Sequence, residues 1–211
     1  GIKYVLTGGN YSTECCREPE EWGGYPGIDK RLINDIHKKF GENDLETFPI
    51  IDLLKYKVLY QYLLGMKVEK PLNLYPYIKE NAEKELFDFC GWLPFKHKHH
   101  ESRFTRFYED YWLPKKFGYE KRRAHFSSLI MTGQMSRSVA IDRLGNSELS
   151  VLDLEKEFEY VASKLDLNED ELRALFKQNN KTFADYKNKR YLIGIGARIL
   201  QMLGVEKRLF R

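Results

Sequence analysis

From about residue 76 onward, every apolar run in this 211-residue chain returns at helical spacing, the period of one helix face and not the alternation of a half-buried strand. Helices are predicted over 76–89, 101–112, 121–131, 136–144, 152–165, 168–176 and 191–203. Local signals support the boundaries. Pro76 suits a first helical position and Gly91 a stop. Asn168 with Glu169, Asp170 and Glu171 behind it reads as a cap followed by acids that complement the helix dipole. Pro114 is expected to end the 101–112 helix, whose Phe104, Phe107, Tyr108 and Tyr111 make one aromatic face.

Before residue 76 the pattern changes. Residues 3–7 (KYVLT) read as a buried parallel strand that ends in the Gly8-Gly9-Asn10 turn at the edge of an α/β sheet. Residues 29–40 read as a helix capped by Asp29 and stopped by Gly41. Residues 50–64 begin like a strand and continue like a helix up to Gly65. The fold class is therefore α/β, mostly helical in this fragment. Its first residue is Gly1 and a strand follows at once, so the chain is expected to be a piece of something longer. Residues 1–75 form one expected region and the helical 76–211 another, with a weaker change of character at 146–150.

A hydrophobic content of 42% beside 31% charge excludes default disorder. No apolar run approaches the length of a membrane span, and GIKYVLTGGN lacks the zones of a secretory signal; a cytoplasmic, membrane-free protein is expected. Cys15, Cys16 and Cys90, two of them adjacent, do not make a disulfide framework and are read as reduced thiols. For Cys15 and Cys16 the structural reading is preferred to a nucleophile, since Glu14 is adjacent and no histidine stands nearby in sequence.

The net charge of +4 is concentrated. Residues 96–123 hold nine Lys or Arg against four acids, leaving the remainder close to neutral. Such a basic, aromatic-packed segment suits phosphate, nucleotide or an anionic sugar, and its bland alternative is a solvated face over an aromatic core. Nucleic acid would bring a broader basic balance. His97, His99, His100 and Glu101 lack a second ligand set at a fitting distance, so no metal is assigned; substrate hydrogen bonding or acid–base help near neutral pH is the reading. His125 lies one turn beyond Lys121 and Arg122, on the same expected anion-facing side, with a buried, backbone-satisfied histidine as the alternative. The stretch TGGNYS tempts a phosphate-loop reading, although a Gly pair after a strand is more often turn geometry.

LTGGNYSTECC, the block FCGWLPFKHKHHESRFTRFYEDYWLPKKFGYEKRRAHFSSLIMTGQMSRSVAIDRL, and the stretches ETFPII, KPLNLYPYIKENAEKEL, KLDLNEDELRALF and KTFADY together resemble the N-acetyl sugar amidotransferase family of lipopolysaccharide and nonulosonate (pseudaminic and legionaminic acid type) biosynthesis. The resemblance implies the remnant of a Rossmann-like ATP pyrophosphatase domain in 1–75, followed by a helical substrate and partner region in 76–211. It implies ATP and Mg2+ as cofactors of the complete enzyme, adenylation of an acetamido oxygen, and displacement of AMP by ammonia from a glutaminase partner. It also implies roles for residues. Gly9, Asn10 and Thr13 would lie near the activated intermediate; His99, His100, Glu101 and Arg103 would line the sugar pocket; Lys115, Lys116, Lys121, Arg122 and His125 would hold pyrophosphate or the sugar's anionic groups. The family's S-G-G-x-D-S pyrophosphate loop and amino-terminal cysteine cluster are not in this sequence, so the isolated fragment is expected to be inactive. The alternative is a non-catalytic helical module that binds an anionic sugar, nucleotide or nucleic acid through 96–125.

Overall fold

The computed structural model describes residues 2–25, 27–53, 55–95, 101–202 and 204. In chain order its first elements are β1 (Tyr4–Leu6), α1 (Tyr11–Glu14), α2 (Lys30–Phe40), a π-helix (Lys55–Leu63) and β2 (Lys67–Glu69). Then follow α3 (Lys79–Cys90), α4 (Arg103–Phe107), a second π-helix (Tyr108–Phe117), α5 (Arg122–Met131), α6 (Arg137–Gly145), α7 (Val151–Lys164), α8 (Glu169–Lys177) and α9 (Arg190–Met202). The chain is mostly helical, with one two-stranded sheet among the described residues. It gathers into two compact units that interleave in sequence. Gly1–Val5, Pro19–Glu69 and Lys181–Arg211 make the first; Leu6–Glu18 and Lys70–Asn180 make the second.

In the first unit α2 forms because Asp29 caps it, accepting the Arg31 amide at 2.8 Å and the Leu32 amide at 3.4 Å. Gly41 ends it, returning its amide to the His37 carbonyl. Leu53 and Ala197 are the unit's buried apolar side chains among the described residues, so polar ties do much of the joining. Asp29 is 1% exposed and also accepts the Tyr25 hydroxyl at 2.5 Å and the Lys189 amide at 2.6 Å. Burial alone would raise its pKa; the donors around it outweigh that and hold the carboxyl below its usual range. Burial, reinforced by the Asp29 carboxylate, pushes Tyr25 up to about 12. β1 pairs with β2, and the Lys67 amide reaches the Lys3 carbonyl at 2.8 Å. The expected burial of this strand is not observed: Tyr4 and Leu6 are 60% and 70% exposed, because β2 is the only strand beside it among the described residues.

The second unit is built on aromatic packing. Phe107 and Phe158 meet edge to face at 4.9 Å, with Val161, Ala162 and Leu172 completing the buried cluster and Tyr111 and Trp112 against it. α4 packs on α7 and α7 on α8. A smaller cluster of Phe126, Leu129 and Ala140 joins α5 to α6. The helix starts follow the sequence: Ser102, Ser136 and Ser150 each cap the next helix, and Asn168 makes a reciprocal capping box with Glu171.

Pro114 does not end the aromatic helix as its type suggests. Instead α4 runs into the second π-helix, which contains Pro114 and stops at Gly118, φ +76°. A wider turn accommodates the missing amide and the ring that would strike the carbonyl of an α-turn.

Candidate functional site

A cleft of about 190 Å³ lies within the second unit, between α1, the second π-helix and α5. Its first wall starts at the glycine turn. The Gly9 amide donates to Thr7 Oγ1 at 3.2 Å, and Asn10, extended and buried, accepts both the Thr13 amide at 2.9 Å and the Thr13 hydroxyl at 3.2 Å. These bonds fold α1 into a single turn and aim the Thr13 carbonyl at His125, whose Nδ1 lies 3.3 Å away. Behind it the fully buried Ser128 hydroxyl accepts the Cys16 amide at 2.9 Å and donates to the Ala124 carbonyl at 3.0 Å. Burial of the Cys16 thiol raises its pKa, so the cleft holds no thiolate-prone sulfur there.

Charge in the cleft is arranged in pairs. Lys121 Nζ stands 3.0 Å from Glu109 and 3.3 Å from Glu18. Burial pulls its pKa down, but the two carboxylates more than reverse that and the ammonium is held raised. Arg122 forks onto Glu120 with two 2.8 Å bonds, and its remaining nitrogen reaches the carbonyls of Arg143 at 3.1 Å and Asn146 at 2.9 Å. The Glu120 carboxylate pushes the guanidinium pKa further up. With Glu14 and Asp110 also on the wall, carboxylates outnumber cations around this space.

Of the site residues expected from sequence, Thr13, Lys121, Arg122 and His125 line this one cleft, although more than a hundred residues separate the first from the others. Asn10 and Gly9 shape the turn beneath it. Arg103 sits elsewhere in the unit, paired with Glu157 at 3.0 Å and stacked 3.7 Å from the Tyr160 ring centre. Lys116 closes the end of α8, donating to the carbonyls of Leu175, Phe176 and Gln178. Lys115 and Glu101 are exposed and do not line the cleft. His99 and His100 lie outside the described residues. Glu18, Glu109, Asp110 and Ser128 were not legible as site residues, because nothing in their own neighbourhoods marks them; only the fold brings them to Lys121 and His125.

The arrangement offers carboxylate acceptors, one ammonium, one guanidinium and one imidazole to a small polar ligand, while the Thr13 and Ser128 hydroxyls are bonded within the walls. Among the described residues no group of His, Cys, Asp and Glu side chains is placed to hold a metal ion.

Residues 101–200 match a family model described as the C-terminal domain of WbpG-like lipopolysaccharide (LPS) biosynthesis proteins. Neither the curated proteins nor the solved structures compared gave a match. The matched stretch supplies Glu109, Asp110, Lys121, Arg122, His125 and Ser128, and the turn with Thr13 lies outside it. Over residues 101–200, therefore, the chain is similar to the C-terminal domain of WbpG-like LPS biosynthesis proteins.

Proposed function

We propose that this chain acts in lipopolysaccharide biosynthesis as the carboxy-terminal part of an N-acetyl sugar amidotransferase, converting an acetamido to an acetamidino group on a surface sugar. The observation that carries the reading is the cleft that joins Thr13 to Lys121, Arg122 and His125, most of it within the stretch similar to an LPS biosynthesis domain. The walls shelter about 190 Å³, room for one polar ring of a ligand that can extend into solvent. Carboxylates such as Glu109 and Asp110 accept hydrogen bonds from ring hydroxyls, and Lys121 donates to a ring or carbonyl oxygen.

The residues of this cleft do not fit a triphosphate. The Gly9 and Thr13 amides are taken by Thr7 and Asn10, and Lys121 and Arg122 are each held by carboxylates. In this reading ATP with Mg2+, which makes the amide oxygen a leaving group, is bound by other parts of the complete enzyme, in a Rossmann-like pyrophosphatase domain. A glutaminase partner supplies ammonia. The chain's own contribution is to hold the sugar, with His125 oriented by the Thr13 carbonyl as a proton acceptor or donor beside it. The same ion pairs weigh against the alternative of a non-catalytic module that captures anions through Lys121 and Arg122.

The test is to incubate the complete protein with ATP, Mg2+, ammonia and a panel of N-acetyl sugars, free and nucleotide-linked, and to read acceptor masses. Replacement of oxygen by an imino group in one acceptor is the expected product, with Glu109→Gln raising its KM more than it lowers kcat. No mass change in any acceptor would overturn the proposal.

A further inference from the structure

A second cleft lies entirely within the first unit and has a different electrostatic character. Lys30, Asn34 and Lys38 recur at four-residue steps along α2, with Arg31 and Asp35 on the adjacent row, so all five share one helix face. Lys187, Lys189 and Asp52 form the facing wall of an open depression of about 400 Å³. The walls are fastened together by backbone bonds. Asp35 accepts the Lys187 amide at 3.0 Å, and the buried Asp29 takes the Lys189 amide at 2.6 Å. The segment that carries these lysines is thereby stapled to α2 at two points.

Five cations and two carboxylates line the space, an excess of three positive charges. Both carboxylates are already engaged, Asp35 by Lys39 at 2.9 Å and Asp52 by Lys189. The side chains of Lys30, Arg31 and Lys38 make no ion pair or hydrogen bond among the described residues, and Lys187 lies within electrostatic reach of Asp35 without a direct bond to it. In the cleft of the second unit the reverse holds, since Lys121 and Arg122 are both paired. Like charges held on one rigid face repel unless an anion joins them. An Arg fork with flanking ammonium groups is the donor set that recognises phosphate oxygens. Three excess charges match a diphosphate, and Asn34 adds an acceptor for a neighbouring hydroxyl. The two carboxylates on the wall would repel the continuous negative surface of a nucleic acid or an anionic bilayer.

We propose that this α2 cleft is a binding site for a diphosphate group, carried by a small hydroxyl-bearing molecule of the nucleoside-diphosphate kind. The site is separate from the sugar cleft of the second unit, so either assignment can fail while the other stands.

The experiment is calorimetric titration of the full chain, without Mg2+, using inorganic pyrophosphate, a nucleoside diphosphate and inorganic phosphate as probes. Saturable one-to-one binding of pyrophosphate or the nucleoside diphosphate is expected, tighter than phosphate and weakened by salt. Arg31→Gln and Lys187→Gln should each reduce affinity about tenfold, the loss of one charge-assisted contact. Lys84→Gln on α3 removes the same charge elsewhere and should leave binding as it is. Unchanged thermal melting of the variants confirms that they fold, as expected for exposed side chains. Tighter binding of the nucleoside diphosphate than of pyrophosphate assigns the hydroxyl acceptor a role, while equal binding limits recognition to the phosphates. The proposal is overturned if no probe saturates, if Arg31→Gln and Lys187→Gln bind like the parent, or if duplex DNA or anionic vesicles outcompete the small diphosphates.

Discussion

Glu157→Ala should be the most damaging single change in the second unit outside its aromatic core. Glu157 is 2% exposed and takes the Nε of Arg103 on both oxygens, at 3.2 and 3.0 Å, together with Nη2 of Arg106. The two contributions differ. The Arg103 side chain is 44% exposed, so solvent screening limits its ion pair to roughly 0–1 kcal/mol. The Arg106 side chain is 25% exposed, and its Nε already lacks a partner among the described residues; losing its remaining carboxylate costs about 1.5–3 kcal/mol. Together these put the substitution at about 1.5–4 kcal/mol, or a fall in Tm of about 10 °C. Urea unfolding followed by near-ultraviolet circular dichroism measures it directly. Arg103→Ala should cost no more than about 1 kcal/mol by the same screening argument. The double variant Arg106→Met with Glu157→Leu should be less damaging than Glu157→Ala alone, because the more buried Arg106 charge leaves with its partner and the exposed Arg103 is solvated. A loss below 1 kcal/mol for Glu157→Ala would refute the reasoning, as would an Arg103→Ala loss equal to it.

Asp29→Ala should cost about 2–4 kcal/mol, from a lost helix cap plus the orphaned Tyr25 hydroxyl and Lys189 amide. Because the folded pKa of Asp29 is depressed, its contribution is full above the unfolded value near 4 and fades as pH falls through the lower folded value; urea melts of the parent should weaken across that acidic window more steeply than those of Asp29→Asn. Lys116→Met removes the donor to three carbonyls at the end of α8 and should lose about 1–2 kcal/mol, with faster hydrogen exchange confined to the last turn of that helix. Cys16, its thiol pushed up by burial, should alkylate at neutral pH more slowly than a free cysteine in peptide mapping; labelling at the free-thiol rate would contradict that environment.

Caps and stops made the helices readable in advance. Asp29 with Gly41 and Asn168 with Glu171 act through bonds within a few residues of themselves, so the local sequence contains both partners. Pro114 misled because its effect depends on whether the helix can widen, which is decided by the packing of Tyr111 and Trp112 against Phe107, Phe158 and Phe176. The apolar run at Tyr4–Leu6 marks a strand but not what covers it. In the candidate site Thr13, Lys121, Arg122 and His125 were singled out by residue type and spacing, and the fold brings them together. The charge state of Lys121 was not legible, since Glu18 and Glu109 neutralise it from other segments, whereas Glu120, the main partner of Arg122, stands two residues before it. The α2 cleft was invisible for the same reason: Lys30 and Arg31 look like an ordinary solvated face until Lys187 and Lys189 arrive opposite them.

The bond between Asp29 and the Lys189 amide spans 160 residues, and the larger segment of the second unit, Lys70–Asn180, is translated between its two ends. Closing so long a loop is entropically slow compared with the neighbouring-helix contacts of the intervening unit. Maturation should therefore run from the middle of the chain outward. Pulse-labelled hydrogen exchange during refolding should protect amides of α7 and α8 before those of α2. The diphosphate cleft would be completed last, so a nascent polypeptide would carry a finished aromatic core before it could capture a phosphorylated ligand.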